Sequence, residues 1–171
     1  MKFDSIDQIK KEGFVGFRST ADLYECSNYV PEERGVYMAI YPDSNQPEFM
    51  VKGTGGFFRK DPNVKIDYLN KRWVNGSVVL NIGQAGGIRN GKWSDATLRE
   101  RITAYVKFGN NHDNIGHYGG RLIWQLKNNS KLLICWKTIP NKIADPRKVE
   151  KDLIIEFETI FGKRPFANIH A

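Results

Sequence analysis

Glu150 is the residue in this chain hardest to explain as packing. It lies in DPRKVEKDLIIEFETIFG, where Asp145 suits an N-cap, Pro146 the first helical position and Gly162 a stop. Taking about 100° per residue with Val149 at zero, Ile160, Leu153, Phe157, Phe161 and Ile154 fall at roughly 20°, 40°, 80°, 120° and 140°. Glu150 falls at roughly 100°, inside this apolar stripe, with Glu156 and Glu158 on its flanks. A carboxylate so placed needs a cationic partner, a proton or a metal ion, because desolvating it alone is costly. It also stands near the positive end of a helix, which would stabilise it without any catalytic role.

A second helix, read over SDATLRERITAYVKFG with Ser94 as N-cap and Gly109 as stop, supplies a cation. Its apolar stripe is Leu98, Ile102, Tyr105 and Val106, with Arg101 at the border and Tyr105 four residues on over the same face. Taken singly, Arg101 also reads as a stem lying over the core, and Tyr105 as a core ring with its hydroxyl at the rim. Tyr37 sits in the apolar strand GVYMAIY, and His117 in GHYGGR is the one histidine placed to line a cleft. No histidine pair has zinc-ligand spacing.

VVLNIGQAGG, residues 78–87, runs a strand into a glycine turn. It is not a nucleotide-binding P-loop, since no Gly-Lys-Ser/Thr ending follows.

The elements that must position these residues follow from composition and pattern. The 171 residues, 40% hydrophobic and 26% charged, suit one globular domain. Residues 4–12 and 20–26 read as short helices, the second with Ser19 or Thr20 as N-cap. GVYMAIY and SVVLNIG read as strands, KLLICWKTI as a third, and RLIWQL as a strand or short apolar element. The order strand, strand, helix, strand, helix predicts an α/β or α+β sandwich, a small three-stranded sheet with helices packed on it. Residues 43–75, turn-rich and basic, read as an excursion from that core.

A net charge of +7 and a pI near 9.4 favour a polyanionic partner, nucleic acid first among them. The two cysteines suit a reducing, cytoplasmic setting. No apolar run is long enough for a membrane span, and the N-terminus lacks the apolar stretch of a secretory signal.

Taken in order, GVY (35–37), NIG (81–83), RERITAY (99–105), EKDLI (150–154) and RPFAN (164–168) resemble the five motifs of the GIY-YIG nuclease superfamily. The resemblance spans roughly residues 34–168, behind an N-terminal helical extension over 1–33 and around the insertion 43–75. It implies a GIY-YIG-like α+β core and metal-dependent hydrolysis of DNA phosphodiester bonds, double-stranded DNA being the expected substrate. By the same resemblance Glu150 would hold one Mg²⁺ or Mn²⁺, Arg101 would stabilise the phosphoryl charge and Tyr37 would activate water. Tyr105 would help position that water, and Asn168 would orient the site. An ordinary tyrosine is a poor base at neutral pH, so nearby cations are expected to lower Tyr37.

The chain departs from the family pattern at the second motif, where Asn81 stands for the tyrosine and Gln84 for a lysine of some relatives. His117 is a candidate to compensate. Specificity would come from the insertions or from a homodimer. Gln84, Arg59, Lys60, Lys71, Arg72 and Arg121 are the expected nucleic-acid contacts, with Phe57, Phe58 and Trp73 among them. The competing reading is a catalytically impaired nucleic-acid-binding module on the same fold.

Overall fold

The computed structural model describes residues 1–43, 45–115, 119–140 and 143–169. The α+β class expected is the one observed. Strands β1 (Val15–Ser19), β2 (Gly35–Ile40), β3 (Val79–Ala85) and β6 (Leu133–Thr138) form an antiparallel sheet in the order β1-β6-β2-β3. Two further strands, β4 (Ile88–Arg89) and β5 (Lys92–Trp93), make a separate hairpin. The helices are α1 (Ile6–Lys11), α2 (Thr20–Glu25), α3 (Ile66–Arg72), α4 (Leu98–Gly109) and α5 (Pro146–Phe161).

The sheet divides two cores. Every residue of β2 is buried, as the unbroken apolar run GVYMAI requires of a central strand covered on both faces. Val36, Met38, Ile40 and Cys135 face α1 and α5, where they meet Ile9, Ile154 and Phe157. Tyr37, Ala39, Ile134 and Trp136 face α2 and α4, with Leu23, Ile102, Tyr105 and Val106. Burying each of these large apolar side chains contributes about 1.5–3 kcal/mol.

The expected sheet of three strands gains a fourth from the N-terminal extension. In β1 the alternation is broken by positive φ at Gly16 and Phe17 and by a register shift between Val15 and Arg18, so no strand pattern survives in the sequence. Gly16 is there because the Trp136 ring occupies the place of its side chain.

Three local readings change and one is resolved. The N-cap of α4 is Thr97, whose hydroxyl accepts from Glu100 N while the Glu100 carboxylate accepts from Thr97 N, a capping box that displaces the cap expected at Ser94. Gly109 belongs to the helix, and its missing side chain makes room for the Trp124 indole. RLIWQL, expected as a strand or a short apolar element, is the latter, a 3₁₀ turn over Arg121–Gln125. At the far end of α5, Ile160 is exposed, so the apolar stripe is narrower than the helical wheel predicts.

The insertion 43–75 joins the core. Gln125, buried in the 3₁₀ turn, donates from Nε2 to Met50 O (3.1 Å) and Val64 O (2.9 Å), and its Oε1 accepts from Val64 N (2.8 Å). Trp73 meets Tyr41, Phe49 and Phe166 ring to ring, which places it in a packed cluster. No helix among the described residues is long and apolar enough to cross a membrane.

Candidate active site at the edge of the sheet

β3 is an edge strand, and the chain end covers part of that edge. Ala167 N donates to Leu80 O (2.7 Å). Asn168 then uses its whole amide on one residue: Oδ1 accepts from Ile82 N (2.9 Å) and Nδ2 donates to Ile82 O (2.8 Å). The side chain thus stands in for a strand neighbour. Arg72 holds the segment from behind, donating to Phe166 O (2.8 Å) and Asn168 O (3.1 Å).

Beside this clamp lies a cleft of about 180 Å³ lined by Tyr37, Asn81, Gln84, Arg101, Arg121, Glu150 and Asn168, among others. Residues far apart in the chain come together for identifiable reasons. Tyr37 pairs across the sheet with Gly83, and Ala39 with Asn81, so Tyr37 and Asn81 share one face. The Tyr37 ring fills the space a Cβ on Gly83 would need. The first turn of α4 brings Arg101 over the same face, and the second turn of α5, packed on β3, brings Glu150 in from the edge. Asn81 is 4% exposed and lines the cleft, so its amide is placed to meet a ligand or water there.

The electrostatics are unequal. Burial raises the Glu150 carboxyl to about 7, and Arg147 and then Arg101 pull it back only in part. Burial also pushes the Tyr37 phenol up, Arg101 opposes this, and Glu150 adds to the rise. The expectation that cations would lower Tyr37 is therefore half met: the cation is in place, and desolvation outweighs it. Tyr105 is not part of the cleft lining. It sits one layer deeper, its ring centroid 6.1 Å from that of Tyr37, and donates to Gly120 O (2.9 Å). Burial, and then Tyr37, raise its phenol as well. Gly120, at φ 77°, leaves room for that hydroxyl.

The other expected contacts scatter. Gln84 borders the cleft, with Oε1 accepting from Gly87 N (3.0 Å), and Arg121 lines it. Arg59, Lys60 and Lys71 are exposed and line neither this cleft nor the one next to it. Arg72 is turned inward onto carbonyls, a tether for Asn168 where a phosphate contact was expected. His117 lies outside the described residues. Arg147 and Arg89 were not foreseen. Both line a neighbouring cleft that shares Gln84, Arg101 and Glu150 with the first.

A larger cavity of about 530 Å³ lies between the start of α1 and residues 41–43, 45–46 and 73–78. Asp4, Asp7 and Asp43 line it with no lysine or arginine among the described residues, so it would repel a polyanion.

The residues can be tested for a divalent cation. Glu150 offers one carboxylate in a site otherwise poor in anions, and among the described residues no three His, Cys, Asp or Glu side chains form a cage. Mg²⁺ is commonly held by one or two carboxylates plus water and substrate phosphate, so this donor set fits it. A carboxylate that burial holds near neutrality is also one that a cation would stabilise as the anion.

No protein-family profile, curated protein or solved structure matches the chain.

Proposed function

We propose that this chain is a metal-dependent endonuclease of GIY-YIG type that hydrolyses phosphodiester bonds in DNA. The observation that carries the reading is the convergence of Tyr37, Asn81, Arg101 and Glu150 on one cleft, with Asn168 fixing the strand beside it. Phosphoryl transfer asks little covalent chemistry of a protein. It needs a positioned phosphate, a positioned water and positive charge where oxygen charge develops.

Arg101 is the fixed cation and would meet the non-bridging oxygens. Arg121, at the head of the 3₁₀ turn, would meet the substrate strand entering the cleft. Glu150 would hold Mg²⁺ or Mn²⁺. When bound, that ion would supply Lewis-acid charge to the scissile phosphate and leaving oxygen, and would add to the pull of Arg101 on Tyr37. With its phenol raised by burial, Tyr37 acts first as a hydrogen-bonding group that orients the attacking water, and accepts a proton only under added positive charge. Asn81 offers an amide to the same water or to a phosphate oxygen. Tyr105 works through Gly120 by fixing the turn that leads into Arg121.

Two observations favour the second reading, a nucleic-acid-binding module with impaired catalysis. The raised Tyr37 phenol and Asn81 in place of a tyrosine both weaken water activation. Supercoiled plasmid incubated with Mg²⁺ or Mn²⁺ separates the two. Nicking by the wild type that Glu150→Ala and Tyr37→Phe both lose supports the nuclease. Salt-sensitive binding without cleavage of any DNA supports the module.

A further inference from the structure

The neighbouring cleft, of about 320 Å³, opens off the first and adds Arg89, Ser94 and Arg147 to the shared Gln84, Arg101 and Glu150. Three arginines face one carboxylate there. Its outer side is the β4–β5 hairpin, which turns at Asn90 and Gly91 with φ of 51° and 74°. Two consecutive left-handed residues are what a tight two-residue hairpin needs, and Asn-Gly supplies them.

The hairpin is anchored at its base from both sides. Asp145 Oδ1, which caps α5 by accepting from Arg147 N (3.0 Å), also accepts from Ile88 N (2.9 Å). A Cβ on Gly87 would press on the Arg147 backbone, so hairpin and helix are in close contact. On the return strand, Arg34 donates from Nε to Ser94 O (3.4 Å), and its guanidinium lies 5.4 Å from the Trp93 ring centre. The tip stays in solvent, with Arg89 and Lys92 directly opposite each other across the ribbon. Like charges at opposed positions are destabilising, and residues 88–94 hold no carboxylate to offset them. An anion at the tip relieves that repulsion.

Resting on the phosphodiesterase reading above, we propose that the β4–β5 hairpin and this groove hold the backbone of a nucleic-acid duplex beyond the scissile phosphate. Arg147 takes the phosphate nearer the cleft, and Arg89 and Lys92 take those further along. A duplex suits the groove better than a single strand. None of the described residues lining it is aromatic, and the Arg34 guanidinium lies against the Trp93 ring beside it, so among the described residues the groove itself offers no platform for unstacked bases.

The test uses full-length protein and a fluorescent 20-base-pair duplex in EDTA, with affinity measured from 50 to 300 mM salt. Each lost phosphate contact reduces the slope of log affinity against log salt by about 0.9, so Arg89→Ala with Lys92→Ala is expected to flatten it by about 2. Lys10→Ala with Lys11→Ala, on the exposed face of α1, is expected to leave the slope as it is. Arg89 and Lys92 are exposed, so the double variant is expected to fold, checked by its melting curve. Wild-type hydrolysis of the duplex and of the small diester bis(p-nitrophenyl) phosphate is measured alongside with Mg²⁺. An unchanged slope in the folded double variant overturns the proposal. So does absence of salt-sensitive duplex binding by the wild type, or tighter binding of the single strand. Hairpin-dependent binding without hydrolysis of either substrate would sink the nuclease reading and leave the groove standing.

Discussion

The phenol ring of Tyr37 lies over Gly83 of the neighbouring strand, in the space where any other residue would carry its Cβ. The glycine of β3 is thus a steric condition for the tyrosine of β2. Gly83→Ala is expected to displace the ring and to cost about 1–3 kcal/mol, as overpacking usually does. Gly119→Ala, where an added Cβ meets nothing within 4 Å, is expected to change stability by no more than about 0.5 kcal/mol. Chemical denaturation of both variants beside the wild type checks the contrast. Equal stabilities would contradict it.

Asn168 bonds both backbone groups of Ile82. Replacing it with alanine removes two hydrogen bonds and is expected to cost about 1–3 kcal/mol. Asn168→Asp is expected to cost more, because it turns a carboxylate oxygen toward the Ile82 carbonyl. Hydrogen exchange at the Ile82 amide is the direct readout: protection falls in both variants if the amide forms the bond described. Unchanged protection would mean that another group covers that edge.

Arg72 separates a tether from a phosphate contact. Because it donates to Phe166 O and Asn168 O, Arg72→Ala is expected to lower stability by about 1–3 kcal/mol while leaving the salt dependence of duplex binding unaltered. A flatter salt slope with unchanged stability would restore the phosphate role that its position in a basic segment suggests.

Glu150 gives a pH dependence with a definite sign. Its carboxyl stands at about 7 in the fold, above the ordinary value of 4.5. A group raised in this way favours the fold at low pH, and that contribution is lost as pH rises through 7. From that shift, the ionised residue weakens the fold above pH 7 by at most about 3 kcal/mol. Glu150→Gln is therefore expected to be more stable than the wild type at pH 8.5 and to show no such gain at pH 4. Adding Mg²⁺ at pH 8.5 is expected to narrow the gap, since the ion binds the ionised wild-type side chain. Proton competition also predicts weaker Mg²⁺ binding below about pH 7. A glutamine variant equally less stable at both pH values would contradict this.

Much of the site was legible because its signals are local or periodic. The caps of α5, the burial of GVYMAI and the inward placement of Glu150 all follow from spacing within one element. The capping box at Thr97 and Glu100 and the Asn90-Gly91 turn were equally local, but a serine at 94 competed with the first and brevity hid the second. What could not be read came from partners distant in the chain. Gly16 and Gly109 answer to tryptophans at 136 and 124, Arg72 answers to carbonyls near 166, and β1 exists by virtue of β6. Tyr37 shows the same limit for chemistry. Its proximity to Arg101 followed from the motifs, and the balance against burial needed the packed structure.

The central claim, that Glu150 and Arg101 serve phosphodiester hydrolysis, is tested most directly by single-turnover cleavage of an end-labelled duplex as Mg²⁺ is raised. Glu150→Gln and Arg101→Ala are run beside the wild type, with duplex binding measured for each in EDTA. Cleavage is expected to rise and saturate with Mg²⁺ in the wild type. It is expected to fall at least about 100-fold in each variant, the scale of losing one charge-stabilising group, while both still bind the duplex. Cleavage by Glu150→Gln at the wild-type rate, or no cleavage of any duplex by the wild type with Mg²⁺ or Mn²⁺, would contradict the claim.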